Sequence, residues 1–310
     1  MLNSSGMNWG GRRRVAGLAW GCWLLVRATT YLSDQSSRLR DLIHTFLKRA
    51  STFGFVFLFV FLPCAFPQQR PLLTEDPRLI PSGAFVMESG FGYARKAQFP
   101  LSGLKGDEYS AFVNGLNFSL GPRAEFQING AIQNFVKIHD QWRNDWGDWS
   151  LSTKIRLVPE THVLPIISFR PTMVLPNSND ARGLGTNSTN VIGTVLVGKS
   201  AGRGFVFGNV GLGILTDTVH VRAQQDVLTY GLAGVLPMSA RISVLSEWNG
   251  WKNPRASPSP GTESRSQVRL GMQIRTGGVR WDIAGTAGLT DLDPRGGVVF
   301  GLTKQFRLWK

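Results

Sequence analysis

His139, His162 and His220 are the only imidazoles in residues 68–310, and none has a serine two residues away. A membrane-embedded hydrolase needs a nucleophilic serine beside a histidine on its lipid-facing surface. This distribution therefore points away from an enzyme and names no catalytic residue. Cys22 and Cys64 are the only cysteines, and both precede residue 68, which removes thiol catalysis, Cys-zinc sites and disulfide scaffolds from the main domain. Three scattered histidines make a poor metal site. Asp217, Asp291 and Asp293 could line a cation site at a rim, but they read more simply as solvated loop charges. No metal or cofactor is expected.

The remaining chemistry is charge arranged on one face. Segment 123–133 sets Ala124, Phe126, Ile128, Gly130 and Ile132 against Arg123, Glu125, Gln127, Asn129 and Gln133. Segment 148–157 opposes Trp149, Leu151, Thr153, Ile155 and Leu157 to Asp148, Ser150, Ser152, Lys154 and Arg156. Strict alternation of this kind means strands with one apolar and one polar face. It recurs over 83–95, 108–120, 123–136, 147–158, 163–175, 190–199, 204–216, 226–237, 240–249, 265–275, 278–289 and 296–309. No stripe with a helical period competes with it.

The connections alternate too. Those at 96–107, 137–146, 176–189, 217–225, 250–264 and 290–295 are mostly long, while those at 121–122, 159–162, 200–203, 238–239 and 276–277 are short. Long loops on one side and short turns on the other are the signature of an up-and-down antiparallel transmembrane β-barrel. A sandwich with Greek-key crossings does not keep that rhythm. An even strand number places both barrel ends on the short-turn, periplasmic side. In lipid every backbone donor and acceptor must be paired, so the sheet must close.

Composition agrees. The chain has 310 residues, 42% hydrophobic and 17% charged, with 36 Gly and 10 Trp. So low a charged fraction is unusual for a cytosolic enzyme, and no apolar run is long enough for a helical membrane bundle. Net charge is +14, divided between residues 1–67, with eight Lys/Arg and two Asp/Glu, and residues 68–310, with 26 and 18. Beyond Arg49 no basic run exceeds Arg95-Lys96, so nucleic acid is not an expected partner.

Parity then assigns a lumen. Arg123, Lys154, Arg156, Arg170, Arg241, Arg269, Arg275, Arg280 and Arg307 should face inward, with Glu88, Glu125, Asp148, Glu247 and Asp282. Two readings stand side by side. Opposed charges pair across neighbouring strands and stiffen a partly occluded barrel, or the basic excess biases passage toward anions; pairing is the default. The loops at 176–189 and 250–264 could fold inward as a constriction, though mobile external loops are the simpler expectation.

Residues 1–67 read as an N-terminal extension and secretory signal. Lys48-Arg49 precedes an intensely apolar stretch at 53–62, then Pro63, Cys64, Ala65 and Pro67, the layout of an export signal. Leu62-Pro63-Cys64 matches a lipoprotein box only loosely, so acylation is not expected. Arg12-Arg13-Arg14 followed by apolar 15–26 reads either as another signal or as sequence upstream of the true start, with Leu47 as a non-ATG alternative. Residues 68–82 are then a periplasmic segment and 83–310 the barrel. The finish, with Val298, Phe300, Leu302, Phe306 and Leu308 alternating, resembles the C-terminal signal read by barrel-assembly machinery. It departs at Lys310, with Trp309 before it.

Arg70-Pro71-Leu72-Leu73-Thr74-Glu75-Asp76-Pro77, then Gly83 and Glu88-Ser89-Gly90-Phe91, resembles the opening of the phenol meta-degradation pathway family of outer-membrane proteins. The resemblance implies an outer-membrane barrel that transports hydrophobic or aromatic compounds. The expected function is thus a passive channel for small-molecule solutes, embedded in outer-membrane lipid. The alternatives are a non-transporting structural or surface-interaction barrel and an anion-selective porin.

Overall fold

The computed structural model describes residues 70–309, apart from 221. The expectations about the leader, Cys64, the translation start and Lys310 lie outside the described residues.

The strands are β1 (Ala84–Phe99), β2 (Leu104–Ser119), β3 (Ala124–Ile138), β4 (Gln141–Asp145), β5 (Trp149–Val158), β6 (Ile166–Leu175), β7 (Asn190–Ala201), β8 (Gly204–Thr216), β9 (Gln224–Pro237), β10 (Ile242–Lys252), β11 (Arg265–Thr276), β12 (Val279–Gly288) and β13 (Gly296–Arg307). Thirteen strands fill twelve wall positions, because β4 pairs with 134–138 of β3 and β5 with 124–130 of the same strand. Every pairing is antiparallel, consecutive strands pair except that β5 joins β3 past the short β4, and β1 closes the ring on β13 from Ala84↔Arg307 to Arg95↔Gly296. The twelve-stranded up-and-down barrel read from the alternation is the fold.

Period two decides which side chains face outward. On β10, Ser243, Leu245, Glu247 and Asn249 are buried, whereas Ile242, Val244, Ser246 and Trp248 are exposed. On β9, Leu228, Leu232 and Leu236 point out while Val227, Ala233 and Val235 are buried. Among the described residues no helix is long and apolar enough to cross a membrane, and these strand faces supply the apolar band instead. The turn between β11 and β12 is Gly277-Gly278, both at positive φ (58° and 72°), the backbone that a two-residue type I′ hairpin demands and that L side chains resist.

Two connections differ from expectation. The stretches 96–107 and 137–146 are not long loops: β1 and β2 run to a tight turn at 100–103, and β3 and β4 turn at 139–140. Their alternation is blurred because Lys96 sits in a bulge at φ 56°, with a register shift between Ala94 and Ala97, and because both sheet faces carry polar groups there. A strand wet on both sides has no apolar period to read.

The largest departure concerns the segment before β1. It was expected ahead of the barrel; residues 70–82 instead run inside it. Leu72 is buried with Ile166, Phe205, Phe207, Ala233, Val235 and Leu245 in one apolar cluster. The Arg78 guanidinium lies 3.9 Å over the Phe205 ring. The segment leaves the lumen at Gly83, whose carbonyl accepts the amides of Leu308 (2.8 Å) and Trp309 (3.4 Å).

Wall and segment fit closely. A Cβ added to Gly231 of β9 would lie 2.6 Å from Thr74 Oγ1 and 3.0 Å from its Cγ2, whereas one at Gly234 of the same strand would meet nothing within 4 Å. Gly231→Val should therefore expel the segment locally and cost about 1–3 kcal/mol. Gly234→Val should be neutral or stabilising, because a β-branched residue suits an exposed strand face. The temperature at which the compact form unfolds in detergent gels checks this pair. Equal behaviour of the two variants would remove the close-approach account.

Candidate functional site: the occluded lumen

The wall holds the segment mainly through its backbone. The Arg70 carbonyl accepts from Gln273 Nε2 (2.7 Å) and Arg280 Nη2 (3.3 Å), and the Pro71 carbonyl from Arg269 Nη1 (2.6 Å). The Glu247 carboxylate takes the amides of Leu73 (2.9 and 3.0 Å) and Thr74 (2.7 Å). Ser168 donates to the Pro77 carbonyl at 2.7 Å, and the Ile80 amide donates to Glu125 at 2.6 Å. In the amide orientation that satisfies both groups, Asn209 accepts the Glu75 amide and donates to its carbonyl.

At the floor sits Lys154 of β5, with no solvent exposure. Its ammonium donates to Glu75 Oε1 (2.7 Å) and the Asp76 carbonyl (2.8 Å) and lies 3.0 Å from Glu125 Oε1, so three N–H groups meet three acceptors. Gln127 donates to both Glu75 (3.0 Å) and Glu125 (2.6 Å), and Arg170 Nε donates to Gln127 Oε1 at 2.7 Å. Asp76 is closed by Arg78, with Nη2 at 2.6 Å. Across the lumen the fully buried Arg280 reaches Glu88 (3.1 Å) and Thr303 (2.9 Å), bridging β12 to β1 over β13.

These contacts place the residues singled out by parity. Glu88, Glu125, Lys154, Glu247 and Arg280 are buried inside, and Arg170 and Arg269 are partly exposed to the lumen. Glu125–Lys154 and Glu247–Arg269 are directly opposed on neighbouring strands, yet each pair also holds the segment. Asp282 is buried and borders the central cavity. Arg123 and Arg156 lie at the short-turn rim, where Arg156 Nη2 donates to the Pro122 carbonyl. Arg241 and Arg307 are likewise exposed at strand ends. Strand parity holds up to a strand's end and no further, because beyond it the chain turns into solvent. Asp148 sits between β4 and β5 and accepts the Ser178 amide at 2.9 Å.

Sequence reasoning missed the partner of this basic wall. Residues 70–76 supply Glu75 and a row of carbonyls to the inward arginines and lysine. The signal available was the excess of inward bases over inward acids, which calls for acceptors from elsewhere in the chain.

Above the segment three cavities follow one another. The first, of about 430 Å³, has Arg70, Leu73 and Glu75 in its floor and Glu88, Arg269 and Asp282 in its walls. It shares Gly92, Ser110, Arg269 and Val299 with a second of about 330 Å³. That one shares Trp251, Arg265 and Pro294 with a third of about 240 Å³ at the long-loop mouth. The mouth is narrowed by inward folding of loop 176–189. Gly183, Leu184, Gly185 and Thr186 line it opposite Phe99 and Leu101, and Ser102 donates to the Gly183 carbonyl at 2.6 Å.

Asp217 fastens the neighbouring loops. It accepts the amides of Val219 and His220 (both 2.9 Å), Gln225 Nε2 (2.8 Å) and the Ser259 hydroxyl (2.8 Å). The His220 amide and the Gln225 side chain hold its carboxyl well below the usual carboxylate range, against the opposing effect of burial, with Val219 and Ser259 adding to the depression. Such a lowered group supports the folded loops above the ordinary carboxylate range and releases them only as pH falls through the lowered value. Ser259 bonds the carboxylate and not the imidazole, so no serine–histidine pair forms here. Among the described residues no cluster of three His, Cys, Asp or Glu is placed to hold a metal ion.

No family model and no curated protein matches the chain. Among solved structures it is similar to an outer-membrane channel from Pseudomonas putida F1, at 14% identity and TM-score 0.57, over 74% of this chain and 98% of that one. It also aligns with the NanC porin at 8% identity and TM-score 0.48, over 70% and 97%. The first likeness concerns the fold, an outer-membrane type of barrel.

Proposed function

We propose that the protein is an outer-membrane channel for small molecules, closed at rest by its own residues 70–82. The observation that carries this reading is the run of three cavities from the loop mouth to a floor made of Arg70, Leu73 and Glu75. A purely structural barrel has no need of such a run; a packed interior would serve better. The apolar band, the closed wall and the likeness to a channel fold support placement in the outer membrane. Among the described residues that line these three cavities there is no histidine and no cysteine.

The substrate class follows from the walls. Trp251 borders the two upper cavities, and its buried indole N–H has no partner. Arg265 borders the same two, and Arg269 the lower pair. An aromatic face beside guanidinium groups suits small aromatic compounds that carry an anionic or hydrogen-bonding group. That joins the aromatic substrates implied by the phenol meta-pathway resemblance to the anion preference of a basic lumen.

Flux of benzoate into vesicles containing the protein tests the reading. Trp251→Ala should slow benzoate entry about fivefold and leave a small sugar unaffected, as expected for a lost stacking contact. Equal entry into empty vesicles would favour a non-transporting surface barrel.

A further inference from the structure

The seam where the ring closes carries an amphipathic site at its long-loop rim. Near the long-loop end of β13, β1 and β2, a crevice of about 650 Å³ is lined by Lys96, Lys105, His139 and Arg295, with Asp291 and Asp293, and it shares Gly288 and Asp293 with the second lumen cavity. All four basic residues are exposed. Asp293 is committed elsewhere, accepting the Thr290 amide (3.1 Å), the Thr290 hydroxyl (2.6 Å) and the Ser266 amide (2.9 Å). Among the described residues no carboxylate forms an ion pair with Lys96, Lys105 or Arg295. Asp107 shapes the site without neutralising it at contact distance. It accepts the Lys96 amide (2.9 Å) and the Tyr93 hydroxyl (3.1 Å), fixing the bulge that splays Lys96 outward.

On the same strands, nearer the barrel waist, lies an apolar groove of about 260 Å³ lined by Phe91, Tyr93, Tyr109, Ala111, Val298 and Phe300. Between groove and crevice runs an aromatic row: the Tyr93 and Tyr109 rings are 5.1 Å apart, and those of Tyr109 and Trp142 are 5.4 Å apart. Tyrosine and tryptophan mark the boundary between hydrocarbon and headgroups. Lys96 lies five residues beyond Phe91, on the order of 15 Å along the strand. When the groove is in hydrocarbon, the crevice is therefore at headgroup level.

We propose that this face binds one phosphorylated membrane glycolipid. Its phosphate is held by Lys96, Lys105 and Arg295, and an acyl chain lies in the groove of Phe91, Val298 and Phe300. Unpaired cations next to a lipid surface attract anionic headgroups, and the groove directly below supplies the apolar half that a free anion lacks. The inference rests on the outer-membrane placement proposed above, and not on segment 70–82 or on Arg265 and Arg269 of the path.

The test uses full-length protein extracted from outer membranes, with heat-modifiable gel migration as the check on folding and insertion. Binding of bisphosphorylated lipid A is measured by native mass spectrometry, with the dephosphorylated lipid and inorganic phosphate as the other probes. Asparagine tolerates the positive φ at Lys96, so the variant is Lys96→Asn/Lys105→Gln. The control, Arg222→Asn/Lys252→Gln, removes equal charge from the β8–β9 loop and the end of β10. The crevice variant should fold normally and bind bisphosphorylated lipid A about thirtyfold more weakly, as two lost lysines at a lipid surface imply, with the control unchanged. Equal loss in both variants, equal binding of the dephosphorylated lipid, or inorganic phosphate binding as tightly as lipid A would each overturn the proposal. Protein that never reaches the outer membrane would instead refute the placement on which it rests.

Discussion

Deleting residues 70–79 should raise single-channel conductance about tenfold, because it removes the floor of the proposed path, whose walls are otherwise set by strand number. Those residues hold the floor of the 430 Å³ lumen cavity, and their bonds come from β1, β3, β5, β6, β8, β10, β11 and β12. Pro81 and Gly83 remain in this variant, so the Gly83 carbonyl still ties the end of β13 to the start of β1. Barrel closure is thus preserved while the lumen is cleared. Freed from Pro71 and Leu73, Arg269 and Glu247 would stay paired across β10 and β11, at 3.4 Å. The opened pore should be weakly anion-selective, because Arg265, Arg269 and Arg170 then meet solute. Planar-bilayer recording of both proteins gives the answer. Unchanged conductance would mean that the cavities are not a path, and the surface-barrel reading would replace the channel.

Lys154→Met should be the most destabilising single change in the lumen, at roughly 3–5 kcal/mol. The methionine fills most of the volume but leaves Glu75 and Glu125, both buried, facing each other without their shared cation. Breaking one partner of a buried ionic cluster costs far more than replacing the whole cluster with neutral groups. The triple variant Lys154→Met/Glu75→Gln/Glu125→Gln should therefore recover most of the loss. Urea unfolding in detergent, read by tryptophan fluorescence, compares the three proteins. A triple variant no more stable than the single one would show that the cost is packing and not charge.

The barrel was legible because an apolar outer face and a polar inner face impose period two on most strands, as in 123–133 and 148–157. Legibility stopped where that contrast stopped. At 96–107 and 137–146 both faces meet polar surroundings, so hairpins passed for loops. At the rims, Arg123, Arg241 and Arg307 lie at or beyond strand ends, where parity no longer assigns a face, whereas Arg156 stays within β5. On β8, Phe205 and Phe207 face the lumen, and no polar alternation on that strand announces it. They are buried there because Leu72 covers them.

The lumen segment was the least legible part for a physical reason. Its partners grip backbone amides and carbonyls, which every residue offers, so an extended strip held this way needs no periodic pattern. Leu72, Thr74, Glu75, Arg78 and Ile80 do bear side chains that the interior receives, but their types follow no period.

The short connection at Gly83 has a consequence for competition. An undocked segment cannot diffuse away; it stays within a few residues of its binding surface, and short tethers give effective concentrations in the millimolar range. Any solute that seeks Arg269 or Glu247 in place of the Pro71 carbonyl or the Leu73 amide competes with a ligand that is always present at that level. In the proposed channel, solutes well below that concentration would displace the segment rarely, and opening would rise in proportion to solute abundance until it approaches the millimolar range.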